Sequence, residues 1–233
     1  MNRHAQAALL FLLGATVLHA GATDLYLRYV KAGLRPLLLL AGVALIATAL
    51  ATLWYERRRP HPAGHHHEPR ISWLLALPVL ALILVAPPAL GSYSATHTGT
   101  ALQKPLGFPG LPATGTLRLS VADYAGRAVY DERSLRGRTV RVTGFVAVDR
   151  AGTPYLVRMA LNCCAADAQP VKIALTGRIP PVLPPDTWLE VTGTYTPRRT
   201  KDPVNNGPIP YLQVTEARPV RAPSDPYDET WNT

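Results

Sequence analysis

Residues 139–164 run Thr139-Val140-Arg141-Val142-Thr143-Gly144-Phe145-Val146, then a turn at Asp149-Arg150-Ala151-Gly152, then Tyr155-Leu156-Val157-Arg158-Met159-Ala160-Leu161, and end on Asn162-Cys163-Cys164. The first segment alternates apolar and polar side chains, the two-residue period of a strand with one buried face. An Asp- and Gly-containing turn followed by a second β-branched and aromatic run predicts a hairpin. Further strand signals follow at Val171–Leu175, Trp188–Gly193 and Tyr211–Thr215. Five short strands in about 80 residues suggest a small closed barrel. The pattern apolar-x-Val-x-Gly recurs at Val140–Gly144 and Leu189–Gly193 and fits strands bent at glycine, a device that barrel closure needs. The expected fold is an OB-like β-barrel, with a small β-sandwich as the alternative. Just upstream, Val121, Tyr124, Ala125, Ala128 and Val129 recur at helical spacing and predict a short helix.

Outward from this domain, assigned to residues 115–220, the chemistry changes. Residues 1–114 carry 9 basic and 3 acidic side chains, and residues 115–233 carry 15 and 12. All seven histidines lie in the first part and both cysteines in the second. Two halves so different do not share one core, which excludes a single soluble globular domain. Runs free of Lys, Arg, Asp and Glu occupy Ala7–Ala22, Pro36–Tyr55 and Ile71–Leu90, with lengths of 16, 20 and 20 residues. A helix needs about 20 apolar residues to cross a hydrocarbon core of about 30 Å, so residues 1–90 are expected to form three transmembrane helices in a lipid bilayer. Arg3 and His4, an apolar stretch and then Leu18-His19-Ala20 also fit a cleaved signal peptide, the alternative for the first run.

Arg3 with Arg57, Arg58, Arg59 and Arg70 set 5 positive charges on one side, against 3 from Arg28, Lys31 and Arg35 on the other. The positive-inside rule then puts the N-terminus in the cytoplasm and, after three crossings, the C-terminal domain outside a bacterial cell membrane. This topology accounts for the basic charge without nucleic acid, and no nucleic-acid partner is expected. Gly91–Thr114, where Pro105, Pro109 and Pro112 alternate with Gly107 and Gly110, reads as a spacer that lifts the domain off the membrane. The polar tail 221–233, which includes Ser224-Asp225-Pro226-Tyr227-Asp228-Glu229, is expected to be disordered.

The most specific chemical feature is Asn162-Cys163-Cys164-Ala165-Ala166-Asp167-Ala168. Adjacent strand residues point to opposite faces. Continued alternation therefore buries Val157, Met159, Leu161 and Cys163 and turns Arg158, Asn162 and Cys164 away, leaving Cys163 as a small hydrophobe. If the chain leaves strand geometry at the pair, two thiols together hold a soft metal or metalloid, or close a vicinal disulfide in an oxidising compartment. Asp167 then adds an oxygen ligand or caps a turn. A closed zinc site needs about four Cys or His ligands. This half offers two cysteines and no histidine, which excludes a structural zinc finger within one chain. A second candidate is His65-His66-His67-Glu68 with His61 nearby, a tract that binds divalent metals loosely or is a solvated loop. His19 and Asp24, at the end of the first span, form a third. No phosphate-cradling loop, Gly-x-Ser-x-Gly or His-Glu-x-x-His occurs, and an enzyme is not indicated.

Three parts of the chain resemble one family. They are Tyr29-Val30 leading into the second span, His67 before Leu74-Leu75-Ala76-Leu77-Pro78 with Leu90-Gly91, and Asn162–Ala168 with Pro210-Tyr211-Leu212. They resemble the YcgQ-like family of two-component permease subunits, in which a membrane region precedes a C-terminal domain of uncharacterised function. The resemblance implies an accessory subunit of a larger polytopic permease, with Cys163, Cys164 and Asp167 as the shared motif. On that reading the external domain gates the transporter or presents substrate, a soft metal or metalloid. The alternative function is an envelope metal-binding or redox-sensing module without transport.

Overall fold

The computed structural model describes residues 3–58 and 89–229. The chain divides into two compact units, one of residues 1–26 with 32–88, the other of residues 27–31 with 89–233.

In the first unit, α1 (Arg3–Ala22) and α2 (Arg35–Arg58) enclose the first two expected runs. At 1.5 Å per residue they are about 30 and 36 Å long, enough for a hydrocarbon core, and both are apolar enough to cross one. They pack through small residues: a Cβ on Gly14 would meet the Gly42 carbonyl oxygen at 2.9 Å, and one on Gly42 would meet Leu18 Cγ at 2.7 Å. Such close approach is how helices associate where lipid removes the hydrophobic drive. The Thr16, Thr48 and Thr52 hydroxyls each donate to the carbonyl four residues back, which satisfies them without water. Leu37, Leu40, Val43 and Leu50 remain exposed. Of the third expected span, Ile71–Leu90, all but the last two residues lies outside the described residues, as do His61 and His65-His66-His67.

The second unit is built on a closed five-stranded barrel, which decides against the sandwich. Its strands are β2 (Thr139–Val148), β3 (Pro154–Leu161), β4 (Gln169–Gly177), β5 (Trp188–Lys201) and β6 (Pro208–Pro219). The order around the barrel is β2-β5-β6-β4-β3, and β3 pairs back onto β2; β4 and β6 are parallel and the other pairs antiparallel. β2 serves two neighbours, β5 from Thr139 to Phe145 and β3 from Phe145 to Val148, so it must bend where the partners change. Gly144 lies at that point, and a Cβ there would meet the Val157 carbonyl oxygen at 2.7 Å. Gly193 sits at a register shift against β6, where a Cβ would clash with the Gln213 carbonyl oxygen. Both glycines singled out by the sequence are therefore required by close backbone approach.

The expected helix is α4 (Val121–Tyr130), started by the Ser120 hydroxyl, which accepts from the Asp123 N–H at 2.9 Å. Its buried Val121, Tyr124, Ala125 and Ala128 join the barrel core with Val140, Leu156, Ile173, Leu189 and Leu212. The fully buried Tyr124 satisfies its hydroxyl by donating to the Tyr211 carbonyl at 2.7 Å.

Three features were not legible. The single buried face expected for β3 is replaced by two: Leu156 and Ala160 pack in the barrel core, while Tyr155, Val157, Met159 and Leu161 enter a second cluster with Ala95, Ile209 and Tyr227. The stretch read as a spacer supplies part of that cover. It forms a short helix, α3 (Ser92–His97), whose Ala95 is fully buried, and Ala101 N–H donates to the Pro170 carbonyl at 2.9 Å. Further along, the buried Arg127 guanidinium donates to the Pro109 carbonyl at 2.7 Å. The described part of the tail expected to be disordered is also fixed. Residues Tyr227–Glu229 form β7, parallel to β3, and Arg158 donates to the Tyr227 carbonyl at 2.7 Å. A three-residue strand, β1 (Leu117–Leu119), pairs in parallel with β2.

Candidate metal centre

β3 ends at Leu161, and the next residues leave strand geometry. The cause is Asp167, in the single helical turn Ala165–Asp167 that follows Cys164. Its carboxylate turns back to accept the Asn162 N–H on Oδ1 at 3.0 Å and the Cys163 N–H on Oδ2 at 2.9 Å. Two backbone donors gathered by one short acidic side chain form a tight loop, the geometry for which Asp is favoured. The expectation that Cys163 is buried by continued alternation is thereby overturned. Cys163 is exposed, Cys164 is half-buried, and both are free thiols.

The loop brings the two sulfurs to 3.7 Å, with Cys163 Sγ donating to Asp167 Oδ2 at 3.0 Å. One ligand atom from each of Cys163, Cys164 and Asp167 lies within 4.8 Å of the others. An ion about 2.3 Å from each of two sulfurs in tetrahedral coordination sets them about 3.8 Å apart, close to the spacing the free thiols already have. The three residues thus fit a cation with little movement, and the Asp167 carboxylate is itself oriented by backbone N–H groups, as good ligands are. Three protein donors leave one position of a tetrahedral ion open, the arrangement of an exchangeable rather than a closed structural site.

The electrostatics are set by a proton that a cation must displace. The hydrogen bond to Asp167, followed by the one to Cys164, pushes the Cys163 thiol up from its ordinary 9.0 to about 11. On Asp167, partial burial works to raise the carboxyl. The Cys163 thiol and the backbone N–H groups of Asn162, Cys163 and Cys164 outweigh it and lower the carboxyl below its ordinary value.

A second chain segment holds this loop; it contains Tyr29-Val30, which the family resemblance singled out but which nothing in the sequence pattern pairs with the cysteines. Val30 and Cys164 form an isolated antiparallel bridge. Lys31 N–H donates to the Cys163 carbonyl at 3.1 Å, and Ala165 N–H to the Tyr29 carbonyl at 2.7 Å. Tyr227 adds a third tie by donating its hydroxyl to the Arg28 carbonyl at 2.9 Å while accepting the Leu90 N–H at 3.1 Å. The other expected candidates are not brought to this site. His19 and Asp24 are both exposed and belong to the other unit, and the histidine tract is outside the described residues.

Residues 122–228 match the family model described as the DUF1980 C-terminal domain. The match takes in the barrel strands, the cysteine loop and the docked tail, and agrees with the expectation of a C-terminal domain of uncharacterised function. No curated protein and no solved structure matches the chain.

Proposed function

We propose that the protein is a membrane-anchored module that binds a soft or borderline metal cation, or a metalloid, at Cys163, Cys164 and Asp167. Its β domain, of OB-like architecture, works on the outer side of a bacterial cell membrane as the accessory subunit of a larger polytopic permease. One observation carries the binding role: two thiols and a carboxylate converge within 4.8 Å on a loop whose sulfur spacing already suits an ion. Thiolate pairs select soft metals over magnesium and calcium. The open coordination position suits delivery to a partner better than permanent storage. The permease partner rests on the family resemblance of the sequence.

The backbone pairing of Tyr29–Lys31 with the cysteine loop supports the topology. On this reading the connection between α1 and α2 lies on the outer side together with the cysteine loop. If α2 crosses, an even number of crossings must separate Lys31 from Cys163. The sequence expects that return crossing at Ile71–Leu90.

The test is a zinc titration of the reduced full-length protein in detergent, followed by identification of what co-purifies from native membranes. One equivalent of zinc, lost in Cys164→Ser, together with a polytopic transporter in stoichiometric yield supports both parts. Absence of binding overturns the metal role, and recovery of the protein alone overturns the permease role.

A further inference from the structure

We infer that the Cys163–Cys164 pair is a redox latch for the segment Tyr29–Lys31: cation binding leaves the latch closed, and oxidation of the empty pair to a vicinal disulfide opens it. The inference rests on the metal-site reading above and adds to it a second state of the same thiols with a defined structural consequence.

The peptide that joins the two cysteines couples them to the segment. Its carbonyl, that of Cys163, is the acceptor for Lys31 N–H, and the next N–H, that of Ala165, is the donor to Tyr29. The two bonds flank Cys164 and tie the segment to the loop. A bridging cation needs the sulfurs about 3.8 Å apart, and they already stand at 3.7 Å, so its binding leaves that peptide in place. A disulfide makes a different demand. Ordinary disulfides join residues whose Cα atoms are about 4.4–6.8 Å apart, whereas neighbours across a trans peptide are fixed at about 3.8 Å. Closing the bond therefore makes a small ring that includes the Cys163–Cys164 peptide and must twist it. The twist reorients the Cys163 carbonyl away from Lys31 and shifts Ala165 relative to Tyr29.

The reaction balances with an external disulfide as oxidant. One cysteine, as thiolate, attacks a sulfur of that disulfide and expels one half as a thiolate. The second, as thiolate, then attacks its neighbour's sulfur and expels the other half. The vicinal bond forms, the external disulfide is reduced to two thiols, and those thiols take up the two cysteine protons. Each step needs a free sulfur, so a bound cation blocks the reaction. Tyr29–Lys31 lies in the chain between α1 and α2, which gives the latch a route along the backbone to the apolar helices.

Hydrogen exchange of the full-length protein in lipid nanodiscs tests this, with a small aromatic disulfide as oxidant and zinc as the cation. Ring closure is checked by a loss of two hydrogens in intact mass. Expected is an exchange rate at the Lys31 and Ala165 amides at least tenfold faster after oxidation, no change with zinc alone, and no change when zinc precedes the oxidant. Cys163→Ser should stay protected under oxidant. Ala165→Pro removes the N–H donated to Tyr29, and the extended Cys164 before it tolerates proline. It should expose Lys31 in every state. Unchanged protection in the closed-ring form, or a mixed disulfide that never closes, overturns the latch while zinc binding leaves the metal site standing. Failure of zinc to bind or protect, with oxidation still exposing Lys31, overturns the metal site and leaves the latch.

Discussion

Two segments from ahead of the barrel are fastened to it by opposite chemistry. Thr98–Ala101 is held by Lys172 and Asp202, 4% and 0% exposed, with Nζ and Oδ2 2.7 Å apart. The ammonium also donates to the Thr98 carbonyl at 2.9 Å, and the carboxylate accepts the N–H groups of Thr100 at 2.9 Å and Val204 at 2.8 Å. Tyr29–Lys31 is held instead by backbone bonds to a loop whose side chains are an exposed thiol, a half-buried thiol and a carboxylate. A buried and fully partnered ion pair is out of reach of free cations and oxidants. An exposed thiol pair has several states, because protons, cations and oxidants reach it. The difference teaches that burial, more than the number of bonds, separates a permanent tie from a responsive one.

The largest expected effect breaks the permanent tie. Asp202→Ala strands a buried ammonium, and losing one partner of such a pair costs about 3–5 kcal/mol. The denaturant midpoint of the full-length protein should fall accordingly, while Lys172→Met with Asp202→Leu, which removes both charges, should cost much less. A loss below about 1 kcal/mol for Asp202→Ala would mean that water reaches the pair and that the contrast is misdrawn.

Next comes the responsive tie. Cys164→Ser changes stability by about 0.5 kcal/mol or less, as partly exposed substitutions do. It should nevertheless weaken zinc binding beyond the about 10–100-fold that loss of a ligand's supporting partner costs. Calorimetry on the reduced protein reads both. Equal zinc affinity in wild type and Cys164→Ser would remove this residue from the site.

How much of this was legible follows from what each region demands of its residues. The strand positions were readable because β2 alternates and its turn is explicit, and Gly144 and Gly193 announced the bends that closure needs. β5 and β6 run on to Lys201 and Pro219, past the Trp188–Gly193 and Tyr211–Thr215 that apolar patterning marks, because their extensions carry Arg198, Arg199, Pro208 and Pro210, which interrupt the apolar alternation. The stretch read as a spacer and the tail could not be read. Their order comes from single long-range contacts, such as Ala95 in the second cluster and Tyr227 beside β3, which leave no periodic trace. At the site, the residue types were legible and the geometry was not. Alternation argued that Cys163 is buried, and only the reach of Asp167 back to the Asn162 and Cys163 amides turns it outward.

A smaller effect sharpens the responsive side through pH. Each bound ion must displace the Cys163 proton, so below about pH 11 zinc affinity should climb by up to tenfold per unit on this thiol's account. Without metal the sign reverses. The thiol is raised in the folded state, so its bond to Asp167 contributes stability below pH 9.0 that is lost as pH rises towards about 11. Asp167 is lowered, so its contribution is present above the ordinary carboxylate range and is lost as acid takes the pH below it. Unfolding midpoints of the reduced protein against Cys163→Ser isolate the alkaline limb. A constant difference from pH 9.0 to 11 would show that the thiol makes no such bond.

The smallest effect is the control on the whole contrast. Arg218 grips Glu190 with two nitrogens on one oxygen, Nη2 at 2.6 Å and Nε at 3.0 Å, which is as close a contact as Lys172 makes with Asp202. Their side chains are 60% and 17% exposed, however, so water and salt screen the attraction and take up either charge when its partner is removed. Arg218→Ala should therefore cost about 1 kcal/mol or less, and less still in high salt. Glu190 also keeps Arg141 Nε at 3.7 Å after the change, so it is not left alone. Measured beside Asp202→Ala, the pair holds the ionic contact distance nearly constant while burial differs, although Asp202→Ala also removes the bonds from the Thr100 and Val204 amides. Similar losses in both would mean that ionic contact itself fastens Thr98–Ala101, and the cysteine loop would then have to be ranked by its bonds and not by its access to solvent.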